Sequence, residues 1–113
     1  MDEFIDGFGK REKDFEAKYL HDEELEFRIL MQRNQLFGVW AATLLEYTNQ
    51  KAQVYIEEVI MVDLQKKHED DALHKVLRDL EHAKIEMSEH RLRKELARCW
   101  IEARKIMMNK KES

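Results

Sequence analysis

From Phe27 onward, apolar residues recur at Phe27, Leu30, Met31, Phe37, Ala41, Leu44 and Leu45, a spacing that places one face of a helix on a core. The same proline-free stretch begins at Arg11 and is helix-competent throughout, but before Leu25 it carries no such stripe. There, only Phe15 and Tyr19 share a helical face, amid Glu12, Lys13, Asp14, Glu16, Lys18, Asp22, Glu23 and Glu24. A helix without an apolar stripe gains little from its own domain, so the segment is expected either to fray or to fold on a partner. Asp22, followed by Glu23 and Glu24, offers a second helix start with acids at the positive end of the dipole. The ordered helix of the free protein is predicted to begin there and to run to about Tyr47, with Thr48 and Asn49 closing it and capping the next.

Three further amphipathic patterns follow. Residues 50–67 place Ala52, Tyr55, Ile56, Val59 and Ile60 on one face, and the polar HEDD at His68 to Asp71 reads as a turn in which Asp70 or Asp71 caps. Residues 72–83 show Leu73, Val76, Leu77 and Leu80. Ser88 then reads as an N-cap, with Met87 and Leu92 placed as a hydrophobic staple, for a helix carrying Leu92, Leu96, Cys99, Trp100, Ala103 and Ile106. The prediction is an all-α chain: a four-helix bundle over residues 21–113, preceded by a mobile, helix-competent arm at 1–20 that is disordered when free.

Composition changes this picture at only a few points. With 113 residues, no proline and three glycines, the chain is one domain of helices joined by short turns. The net charge of −4 argues against nucleic acid as a partner. That charge is polarised: residues 1–26 hold ten acids and four bases, whereas 89–113 hold four acids and eight bases. The single Cys99 permits no internal disulfide, and its place in an apolar stripe suggests a buried, inert thiol. The start resembles no signal peptide, and the longest apolar run, Leu36 to Leu45, is far short of the roughly 20 residues that span a bilayer. An intracellular protein without direct membrane insertion is expected.

Candidate chemistry is sparse. His82, Glu86 and His90 would align two imidazoles and a carboxylate on one helix, but the start signal at Ser88 places them across a turn, and no HExxH or paired ExxH motif is present. No metal site is expected. There is no nucleophile elbow, phosphate-cradling loop or dinucleotide fingerprint, so no enzyme is expected either. The basic last helix, with Arg91, Arg93, Lys94, Arg98, Arg104 and Lys105, reads first as a solvated face and second as a phosphate surface. Trp40 and Trp100 read as core. Gly38, in mid-helix beside Trp40, implies close packing of another helix. The aromatics Phe4, Phe8, Phe15 and Tyr19 have no evident place in the bundle. An exposed aromatic series of that kind points to a partner, the competing reading being that the arm folds back over the bundle.

The segment REKDFEAKYLHDEELEFRILMQRNQLFGVWAA resembles the signature of the alphaproteobacterial ATPase inhibitor subunit zeta family. The matching positions are Phe8, Arg11, Glu12, Phe15, Glu16, Lys18, His21, Asp22, Glu24, Leu25, Phe27, Arg33, Asn34, Leu36, Gly38, Trp40, Ala41 and Ala42. The later segments YIEEVIMVDL and HEDDALHKVLRDL follow in the expected order. The resemblance implies a cytoplasmic inhibitor of the F-type ATP synthase, peripheral to the inner membrane through the synthase. Its arm would enter the catalytic head as a helix, between a catalytic and a non-catalytic subunit near the rotor, and block ATP hydrolysis. The residues so implicated are Phe8, Arg11, Glu12, Phe15, Lys18 and Tyr19, with Phe4 as a further contact of this chain. Aromatics would fill apolar clefts while Arg11 and Lys18 pair with acids. No cofactor is required, but the resemblance also implies weak ATP or ADP binding by the bundle. The alternative function is therefore a nucleotide-binding regulatory module whose bundle is the working part; a helical scaffold unrelated to the synthase is a third. This chain departs from the family in carrying Met1 to Gly7 ahead of Phe8, and in Gly9, which would tax a docked helix by roughly 1 kcal/mol, about fivefold in affinity. His21, between arm and bundle, is a candidate for pH-sensitive docking.

Overall fold

A computed structural model describes residues 23–65 and 71–112. The expected arm, with Phe4, Phe8, Arg11, Glu12, Phe15, Lys18 and Tyr19, and the caps Asp22 and Asp70 lie outside them. The described residues form a four-helix bundle: α1 (Glu23–Leu44), α2 (Asn49–Val62), α3 (Asp71–His82) and α4 (Glu89–Glu112), with a short 3-10 turn (Asp63–Gln65) after α2.

Two clusters make the core. The larger gathers Phe37, Ala41 and Ala42 of α1, Tyr55 and Val59 of α2, Ala72, Leu73, Val76 and Leu80 of α3, and Leu92, Leu96 and Cys99 of α4. The smaller joins Leu25 and Ile29 to Ala103, flanked by Met107 and Met108. The first turns of α1 therefore lie on the last turns of α4, and the two helices run antiparallel.

The side of α1 that is buried differs from the expected stripe. Leu25, Ile29, Asn34, Phe37, Gly38, Ala41 and Ala42 are buried, whereas Leu30, Met31, Leu44 and Leu45 are half-buried and Phe27 is 42% exposed. The reason is that α1 packs by close approach. Its buried side carries Gly38 and two alanines, small residues that a count of large apolar side chains passes over. A Cβ on Gly38 would stand 3.2 Å from the Ile56 Cα and 3.3 Å from the Val59 Cβ, so the backbones of α1 and α2 meet there. Trp40 is half-buried and stacks on Phe37 at 5.7 Å, but Trp100 is 39% exposed and does not belong to the core.

The helix ends obey local hydrogen-bonding logic. Both α1 and α3 close in Schellman motifs built without glycine. At α1, Tyr47 N–H donates to Ala42 O (3.0 Å) and Glu46 N–H to Thr43 O (3.1 Å), with Glu46 at φ 62°. At α3, Ile85 N–H donates to Leu80 O (2.9 Å) and Lys84 N–H to Glu81 O (3.0 Å), with Lys84 at φ 61°. Thr48 does occupy the N-cap position of α2, but its side chain makes no capping hydrogen bond, and Glu46 rather than Thr48 or Asn49 closes α1. Ser88 behaves as expected: its Oγ accepts from Arg91 N–H at 3.0 Å. The α2 helix ends at Val62, short of the expected Lys67, because the chain tightens into the 3-10 turn at Asp63, whose carboxylate is held by α1.

Gly38→Leu should therefore drive a side chain into the α2 backbone. Urea unfolding should show a loss of about 2 kcal/mol or more, the range expected for overpacking a filled interface.

Candidate functional site

Three elements of the described part of the chain stand out: the packing at the start of α1, a buried polar clamp, and a cleft beside α3. The first is the smaller core cluster. Leu25 and Ile29, the first buried residues of α1, rest against Ala103, Met107 and Met108. The start of α1 thus lies at the C-terminal end of α4. The arm residues singled out from the sequence fall outside the described residues, and so does His21.

The clamp joins α1 to the end of α2. Asn34 is fully buried, the one buried polar side chain among the described residues. Its Nδ2 donates to Asp63 Oδ2 (2.8 Å), and its Oδ1 accepts from Arg33 Nε (3.0 Å). Arg33 Nη2 also donates to Asp63 Oδ2, at 2.7 Å. Both charged side chains are largely screened from water, so each member of the group answers a polar atom that would otherwise be stranded. Asp63 was not singled out from the sequence. Its one visible signal is an acid directly after the apolar run ending at Val62, in a segment expected to be helical.

The cleft has a volume of about 380 Å³ and is lined by Tyr47, Lys51, Val54, Tyr55, Glu58, Lys75 and Asp79. Tyr55 is buried and its hydroxyl donates to Asp79 Oδ2 at 2.8 Å. Burial, with the hydrogen bond to Asp79 second, pushes the Tyr55 phenol well above its ordinary range. Lys75 Nζ lies 3.1 Å from Asp79, 3.3 Å from Glu58 and 5.0 Å over the Tyr55 ring, whereas Lys51 Nζ sits 4.3 Å over the Tyr47 ring. The two tyrosines meet edge to face at 5.5 Å. Lys75 is thus engaged by two carboxylates, whereas the contact of Lys51 is with the Tyr47 ring.

Elsewhere the chemistry is quiet. His82 ends α3 and His90 lies in the first turn of α4, so with Glu86 they straddle a connection as expected. Among the described residues no three of His, Cys, Asp and Glu converge to hold a metal ion. Cys99 is buried, and burial pushes its thiol up to about 11, so it is predominantly protonated at neutral pH. The basic residues Arg91, Arg93, Lys94, Arg98, Arg104 and Lys105 of α4 are all exposed. No helix among the described residues is long and apolar enough to cross a membrane.

The family model for the ATPase inhibitor subunit zeta matches residues 5–106. The match takes in α1 to α3, most of α4 and residues 5–20 of the expected arm. No curated protein matches the chain.

Removing the clamp acid should expose its structural weight. Asp63→Ala leaves the Asn34 amide buried and the Arg33 charge without its carboxylate, and unfolding in urea should show a loss of about 3 kcal/mol. Asp63→Asn, which retains one acceptor, should lose less.

Proposed function

The chain belongs to the ATPase inhibitor subunit zeta family, and on that premise we propose that it restrains ATP hydrolysis by the F-type ATP synthase through its N-terminal arm, Met1 to Leu20. The family name makes it an ATPase inhibitor subunit, a regulatory component whose implied partner is an ATP synthase. The finer reading concerns how it inhibits. The arm folds into a helix in the catalytic head, beside catalytic, non-catalytic and rotor subunits. Phe4, Phe8, Phe15 and Tyr19 fill apolar clefts, Arg11 and Lys18 meet acids, and Glu12 faces the polar rim. The bundle stays outside as a rigid holder, at the cytoplasmic face of the inner membrane.

The observation that carries this reading is the span of the family match, which begins at residue 5 and so takes in Phe8 through Tyr19. Two features support it. The sequence ahead of Leu25 sets the aromatics Phe4, Phe8, Phe15 and Tyr19 among charged residues, the composition of a segment that folds on a partner. The first turns of α1 are fastened to Ala103, Met107 and Met108, giving an arm a fixed point from which to transmit or resist force. Arm ordering on docking costs conformational entropy, to which Gly7 and Gly9 add, so the aromatic contacts must supply the affinity.

A second reading, that the bundle binds ATP or ADP, draws on the cleft. There two tyrosine rings and Lys51 present a stacking surface and a cation of the kind a nucleotide requires. With Lys75 occupied by Glu58 and Asp79, one cation against a polyphosphate makes for weak binding.

One experiment separates the two. The ATPase head of the matching synthase is titrated with the full chain and with a chain starting at Tyr19, whose unchanged thermal melting checks the bundle. Inhibition by the first alone establishes the arm as the active element. Inhibition retained by the truncated chain overturns the arm mechanism and turns attention to the cleft.

A further inference from the structure

The outward face of α4 combines two properties that are unusual together. Ile101 is 55% exposed and Trp100 is 39% exposed, and both sit beside the exposed Ala97 on one side of the helix. At 3.6 residues per turn, Arg93, Lys94, Arg104 and Lys105 fall on that same side, and between Arg93 and Lys105 it carries no acid, since Glu95 and Glu102 turn away from it. Arg93 is paired with Glu89, but among the described residues nothing pairs with Lys94, Arg104 or Lys105. An apolar strip with a cationic rim fits an acidic segment that presents aromatics.

The chain itself holds such a segment. Phe4, Phe8, Phe15 and Tyr19 are spaced by four, seven and four residues, which places all four on one face of a continuous helix. Acids outnumber bases ten to four over residues 1–26. The connection is also geometrically short. Because Leu25 and Ile29 lie on Ala103, Met107 and Met108, the chain preceding α1 starts at the C-terminal end of α4. A turn at Leu20 to Asp22 would send a helical arm back along α4. Phe15, seven residues before Asp22, would then lie about 10 Å along the axis, the same distance that separates Met107 from Trp100 at 1.5 Å per residue.

We propose that the Trp100–Ile101 face of α4 is a docking surface for this chain's own arm, on which Phe15 and Tyr19 rest against Trp100 and Ile101 while the arm's acids face Arg104, Lys105 and Lys94. A tethered contact of this kind needs little intrinsic affinity, since the tether supplies a high effective concentration. Its regulatory consequence rests on the inhibitory reading above: the aromatics buried on α4 are those that would enter the head, so docking at home competes with inhibition.

The test uses the full chain with a nitroxide on Glu12→Cys. Cys99, buried and with a raised thiol pKa, leaves residue 12 as the site of labelling. Paramagnetic broadening of backbone amides is expected to concentrate on Ala97 to Lys105 and to spare the exposed face of α2. It should be largely lost in 1 M NaCl, where the Debye length falls to about 3 Å. It should also be lost in the variant with Arg104→Glu and Lys105→Glu, surface changes that leave the core intact. Broadening spread evenly over the bundle, or unchanged by the charge reversal, overturns the proposal. So does broadening of an isotope-labelled, unlabelled-spin chain mixed with a spin-labelled one, which would make the occupant a second copy. None of these readouts involves the synthase, so the docking surface stands or falls independently of inhibition. If both readings hold, the charge-reversed chain inhibits at lower concentration than the original.

Discussion

The contact between α1 and the end of α2 holds the rest of the molecule in register. Asn34, fully buried, is hydrogen-bonded on one side to Asp63 and on the other to Arg33, and one turn further along Gly38 lets the α2 backbone approach to contact distance. A buried amide and a buried ion pair are costly to strand and tolerate few alternative partners, so they specify one alignment of the two helices. Everything downstream follows from it: the placement of Tyr55 and Val59 against α3, and the side of α1 left for α4.

The described core spans Leu25 to Ala103 in two clusters, while the sequence ahead of it places its aromatics among charged residues. Under the proposed arm mechanism the bundle must resist being pulled in after the arm, and the packing of Leu25 and Ile29 on Ala103, Met107 and Met108 would serve as that stop. The charge asymmetry between the two ends of the chain is what the proposed docking of the arm on α4 would draw on.

The four helices and their order were legible in the sequence, because three of them carry ordinary 3.6-residue stripes and because Ser88 gives an unambiguous start. The side of α1 was legible only in part, with Phe37 and Ala41 buried and Leu44 and Leu45 packed on the core as expected. Its buried set includes Asn34, Gly38 and two alanines, and a pattern sought among large apolar residues drifts toward Phe27, which is exposed. Trp100 misled in the same way: one position from Cys99 on the helix, it has rotated out of the core to its edge. The helix ends were obscured because Glu46 and Lys84, ordinary helix formers by residue type, adopt the left-handed conformation and close two Schellman motifs. Gly38 was read correctly, since a mid-helix glycine is unfavourable unless a neighbour needs the space. The clamp acid Asp63 and the Tyr55–Asp79 pair depend on residues 29 and 24 positions apart meeting in space, which periodicity does not encode.

The central claim is that the arm, and not the bundle, engages the synthase head. Hydrogen exchange of the full chain, free and bound to the head, tests it most directly. The account predicts that slowed exchange on binding is confined to peptides from Met1 to Leu20, with α2 and α3 unchanged. Protection that instead appears on α2 and α3 around the Tyr47–Lys51 cleft, with the arm exchanging as in the free chain, would contradict it.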